Sequence, residues 1–121
     1  MPISKTIIAV LPSPSALFGA SAEYCLLIGG ISDLTISAIK VVCDSDPATE
    51  LDWDLYYADD FITKANATLI RAMDTTGGIL SATSGFGDAS VPAGKTIYSA
   101  FSSQPDAGIK QITLQIEYSF D

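Results

Sequence analysis

Five acids fall within a short stretch of this chain: Asp44, Asp46, Glu50, Asp52 and Asp54, with Asp59 and Asp60 just beyond. Two chemistries use such a cluster. A hard divalent cation takes several oxygen ligands converging from a loop, and the turn Asp44-Ser45-Asp46-Pro47 would supply two of them, Asp44 and Asp46. The run lacks the glycine and the closing glutamate of an EF-hand loop, so a solvated turn and strand face is the simpler account. Paired carboxylates also hydrolyse glycosides, but only when they face each other across a cleft. Asp52 and Asp54 alternate within a strand pattern and stand side by side on one face. No catalytic residue is assigned, and no metal or other cofactor is expected.

The remaining chemical candidates are thin. There is no histidine, so Ser-His and Cys-His nucleophile pairs cannot form within the chain. Cys25 and Cys43 fall in two different predicted strands; they pair only if those strands come within disulfide geometry, and otherwise read as reduced, buried, small apolar residues. Trp53 and Tyr57 share a row with Leu51 and Leu55, which marks them as core, and Tyr56 alone projects outward. Asn66-Ala67-Thr68 matches a glycosylation pattern that is too short to carry weight. The glycines at 77, 78, 85 and 87 lack the lysine of a phosphate loop and read as turn glycines.

Charge narrows the partners. Six basic residues stand against 14 acidic ones, for a net charge of -8. Lys5, Lys40, Lys64, Arg71, Lys95 and Lys110 are isolated from one another, whereas phosphate backbones require them clustered. Nucleic acid and anionic membrane surfaces are therefore poor partners. Charged residues make up only 17% of the chain, low for a free monomer, which predicts that other proteins cover some apolar surface. An apolar run follows Lys5, but Pro12 and Pro14 interrupt it, so no cleaved signal is expected. No apolar run reaches transmembrane length.

The elements that position these residues read as strands. Residues 110–119 alternate most cleanly: Ile112, Leu114, Ile116 and Tyr118 inward, Gln111, Thr113, Gln115, Glu117 and Ser119 outward. Residues 51–58 alternate in the same way. Residues 34–43 are β-branched and apolar on both faces, with Ile39, Val41 and Cys43 on one side and Ile36, Ala38 and Val42 on the other, which predicts a strand buried on both sides or one at a subunit contact. Further strands are predicted at 23–28, 79–82 and 96–101, while 59–73 is ambiguous between strand and helical turn. Six to eight strands with no long amphipathic helix predict a single all-β antiparallel sandwich, jelly-roll-like, over residues 23–121. Residues 1–22 form an extended N-terminal arm, or an edge strand plus linker, broken at Pro12-Ser13-Pro14.

Residues 91–98, Val-Pro-Ala-Gly-Lys-Thr-Ile-Tyr, and 104–118, Gln-Pro-Asp-Ala-Gly-Ile-Lys-Gln-Ile-Thr-Leu-Gln-Ile-Glu-Tyr, resemble the closing strands of small β-sandwich virion proteins of tailed bacteriophages. Residues 41–58 have the same character. The resemblance implies a capsid decoration, or cement, protein on the outer capsid surface. Its partners would be the major capsid protein and copies of itself, with a trimer favoured. It brings no catalytic residues. The alternatives are a carbohydrate- or receptor-binding module of a tail or fibre, and a tail or neck component. A glycan module predicts exposed rings among Tyr24, Tyr56, Phe86 and Tyr98. The interface candidates are Ile7, Ile8, Leu17 and Phe18 in the arm, and Gln111, Thr113 and Gln115 on the uncharged outward row of the last strand.

Overall fold

The computed structural model describes residues 4–12, 23–30, 32–44, 53–73, 79–101 and 111–120. Nine strands form among them: β1 (Ser4–Pro12), β2 (Glu23–Ile28), β3 (Leu34–Asp44), β4 (Trp53–Ala58), β5 (Thr68–Ala72), β6 (Ile79–Ala82), β7 (Ser90–Val91), β8 (Thr96–Phe101) and β9 (Gln111–Phe120). Every ladder is antiparallel. One sheet, A, has the order β1-β9-β3-β6, with β7 also pairing β3, and the other, B, has the order β2-β8-β4-β5. The chain crosses repeatedly between the two sheets, so each is built from strands distant in sequence. That order is a jelly roll, with β1 and β6 at the edges of one sheet and β2 and β5 at the edges of the other.

The core lies between the sheets and follows period two. On β9, Ile112, Leu114, Ile116 and Tyr118 are buried, and on β4, Leu55 and Tyr57. Ile97 on β8 and Ile70 on β5 join Leu55 and Tyr57 on the inner face of sheet B, against the β9 row of sheet A.

β3 departs from the expected alternation. Ile36, assigned by sequence to the face opposite Ile39, is buried in the core together with Ile39 and Val41. The β3–β9 ladder breaks register between Ile36 and Ala38, and this bulge returns Ile36 to the inner face. β3 is therefore not buried on both sides: Val42 is 42% exposed.

Two open readings close on one of their alternatives, and one further expectation changes. Residues 4–12 are an edge strand of sheet A, paired with β9 along their whole length. Cys25 is a free thiol and exposed, not a core residue, because it lies opposite Tyr98 on the outer face of sheet B. The ambiguous stretch resolves into a turn over 61–63 and strand β5, with no helix. Leu17, Phe18, Asp46, Glu50 and Asp52 lie outside the described residues, as do the side chains of Trp53, Cys43, Asp44 and Gln111.

Candidate assembly surface

Because side chains alternate across a sheet, the ladder registers fix which residues share the outer face of sheet A. Val10, Thr113 and Val42 form one row across β1, β9 and β3. The next row is Ile8, Gln115, Lys40 and Ser81. Ile8 is 68% exposed and Val10 60%, high values for large apolar side chains. Beside these rows a shallow recess is lined by Ala38, Lys40, Ser81, Gln115 and Glu117. Next to Ala38 lies the β3 bulge, where the Ser37 hydroxyl donates to the Glu117 carbonyl at 3.2 Å.

Three interface candidates named from sequence, Ile8, Thr113 and Gln115, are thus gathered on one face. Ile7 is not with them: it lies opposite Ile116 and packs against the core. Gln111 contributes backbone pairing to Pro12 and Asp44 at the end of the same sheet. Sequence reasoning misses Val10, and reaches Val42 only through the subunit-contact alternative for β3. The signal for Val10 is its spacing of two from Ile8. The exposure of Val42 is hidden, because an apolar strand residue reads as core until the bulge is known.

The outer face of sheet B carries a second arrangement. Tyr56 and Tyr98 stand opposite each other on β4 and β8, with ring centroids 5.5 Å apart and planes 17° from parallel. Phe61 tilts against Tyr98 at 5.9 Å. Lys64 lies 4.5 Å above the Phe61 ring, donates to the Phe61 carbonyl at 2.8 Å and pairs with Glu23 at 3.4 Å. These contacts hold Lys64 at a φ of 53°, a left-handed conformation that costs a non-glycine residue about 1 kcal/mol. Burial raises the Tyr98 phenol above its ordinary value, with Glu23 and Tyr56 adding to the effect. At the turn's tip Ile62 is 92% exposed.

Carboxylates tie this turn down. Asp59 accepts from the Lys95 ammonium and, at 2.7 Å, from the Asn66 side-chain amide. Asp60 accepts from the backbone N–H and the hydroxyl of Thr63, each at 2.6 Å. The Lys95 and Asn66 bonds hold the Asp59 carboxyl below its ordinary value of 3.8, and Thr63 does the same for Asp60. A depressed folded value favours the ionised form in the folded state. The stabilisation is therefore complete above the ordinary value and is lost as pH falls through the lower folded one. We expect the Asn66 side-chain amide resonances to move in one acid transition below pH 3.8, and Asp59→Asn to abolish that transition. An unchanged titration in the variant would show that Asp59 does not hold the turn.

Among the described residues no group of three or more His, Cys, Asp or Glu is placed to hold a metal ion. The acidic turn at Asp44 and Asp46 falls outside that description.

No protein-family model matches the chain, and no curated protein matches it by sequence. Solved structures do match by fold. A chain of the acidic stable capsid structure of Helicobacter pylori bacteriophage KHP30 aligns with a TM-score of 0.61 at 12% identity, covering 97% of this chain and 87% of that one. The N-terminal cellulose-binding domain of Cellulomonas fimi β-1,4-glucanase C aligns with a TM-score of 0.45 at 15% identity, over 96% and 77% of the two chains. At these identities the likeness to the KHP30 chain is one of fold.

Proposed function

We propose that this chain is a structural protein of a bacteriophage virion, and within it a capsid decoration (cement) protein that bridges and stabilises capsid subunits on the outer surface of the shell. The observation that carries the reading is the extent of the likeness: the jelly roll aligns over 97% of its length with a chain from a phage capsid structure. The outer face of sheet A supports it from the physical side, with exposed Ile8 and Val10 beside uncharged Thr113 and Gln115. A face this poor in charge suits a protein partner. The partners are the major capsid protein and further copies of this chain. The net charge of -8 argues against nucleic acid and anionic lipid.

A glycan-binding module of a tail or fibre needs an open aromatic face. Tyr24 and Phe86 pack against the core, and Tyr98 is 4% exposed and stacked on Tyr56. We therefore assign partner binding to sheet A rather than to these rings.

Particles purified from the phage that encodes the chain should contain it in fixed proportion to the major shell protein. Antibody against the chain should label the outside of the shell. Particles without it, or label confined to the tail, overturn the reading. On the sheet A face the probe is Gln115→Glu, since Lys40 lies directly opposite and accommodates an acid there but not a second lysine. The variant should fold normally and bind depleted shells at least about tenfold more weakly. Undiminished binding removes this face from the shell contact.

A further inference from the structure

We infer that β1 is the seat of a two-fold contact in which the edge of sheet A pairs, antiparallel, with the same strand of a second copy. An edge strand presents unpaired N–H and C=O groups, and proteins blunt such edges with shortness, charge, proline or a bulge. Among the described residues the other edges carry those devices. β6 has four residues and β7 two. β2 begins on Glu23, and its ladder to β8 breaks register between Cys25 and Leu27. β5 holds Arg71, and its ladder to β4 also breaks register. β1 instead runs nine residues in unbroken register, and β9 is its one ladder partner among the described residues. Its proline is its last residue, and Lys5 is its single charge.

The strand is self-complementary, which makes a second copy the occupant, and charge does not oppose it there. Two molecules of net charge -8 repel each other over most of their surfaces, but β1 contains no acid. Pairing about Ile8 sets that residue against its own counterpart and Thr6 against Val10. The two Lys5 residues then stand about 20 Å apart along the strands, farther than the Debye length of about 8 Å at physiological salt. Ile8 and Val10, otherwise 68% and 60% exposed, each gain a cross-strand neighbour. The two-fold closes on itself, so association stops at a dimer. Such a contact departs from the trimer that the phage resemblance implies, and it needs no capsid, so it stands or falls separately from the virion reading.

The test is sedimentation equilibrium of the full chain across a concentration series, in reductant because Cys25 is exposed. Amide exchange of β1 is followed in the same samples. We expect a monomer–dimer equilibrium in which alternate amides of β1 gain protection with concentration. Ile8→Lys sets like charges opposite each other at the centre and should weaken the dimer at least about tenfold. The substitution is on an exposed side chain, so the monomer's circular dichroism and melting should be unchanged. A monomer at every concentration overturns the inference. So does a trimer, or a dimer that ignores Ile8→Lys. Concentration-independent protection of the outer β1 amides in a monomer also overturns it, since the chain's own residues then cover the edge.

Discussion

Leu114→Ala should lower the free energy of unfolding by about 2–5 kcal/mol. Leu114 is 1% exposed near the middle of β9, the strand that joins β1 to β3. Its backbone neighbours are Ala9 on one side and Val41 on the other, and Val41 is fully buried. Truncation removes three carbons from the inner face and leaves a void that flanking strands, fixed by their ladders, cannot close. Against a typical total of about 5–15 kcal/mol, the loss is a large fraction of the stability. Urea unfolding should show a lower midpoint with an unchanged slope. Val42→Ala is the control: half exposed on the opposite face, it should stay within about 0.5 kcal/mol of the parent. A small effect at Leu114 and a large one at Val42 would mean that β3 and β9 are each turned over by one residue, because a single-residue slip exchanges the two faces of a strand.

The inner rows of β4 and β9 are legible in the sequence because each alternates without interruption. Leu55 and Tyr57, and then Ile112 through Tyr118, can satisfy period two in one way only. β3 is not legible in this way. Its apolar residues fall in both alternating rows, and the bulge at Ser37 shifts the phase without leaving a glycine or proline to mark it. Strict alternation thus sets Ile36 on the wrong face and conceals the exposure of Val42. Cys25 is misread for a different reason: period two places it on the face of exposed Glu23, but its apolar character reads as core. The assembly face divides along the same line. Thr113 and Gln115 announce themselves by being polar and uncharged in a regular strand. Joining them to Ile8, and separating Ile8 from Ile7, requires the β1–β9 register, which brings together residues from opposite ends of the chain. Two-residue β7 is hidden inside a segment whose Pro92 and Gly94 read as turn.

The second large effect is expected at Gly29→Ala. Gly29 follows β2, and its N–H donates to the Lys95 carbonyl at 2.8 Å, while Gly94 N–H donates to the Gly30 carbonyl at 2.8 Å. These paired bonds lock the end of β2 to the turn entering β8. A methyl group at Gly29 would overlap the Lys95 carbonyl oxygen and sit 2.9 Å from the Lys95 backbone nitrogen. Both atoms are backbone, so no side-chain rotation relieves the overlap; the two segments must separate, and both hydrogen bonds are lost. Steric repulsion plus unpaired backbone groups should cost about 3 kcal/mol or more. The damage extends past the turn, because Lys95 also anchors Asp59 and with it the loop bearing Phe61 and Ile62. Gly94→Ala separates close approach from backbone conformation. Gly94 has a φ of +81° but nothing near its missing side chain, so alanine there should cost only about 1–2 kcal/mol. If the two variants melt together, the close approach at Lys95 is not what makes glycine necessary at 29. If Gly29→Ala alone loses both the melting temperature and the acid transition of Asn66, the strand junction and the loop are one unit.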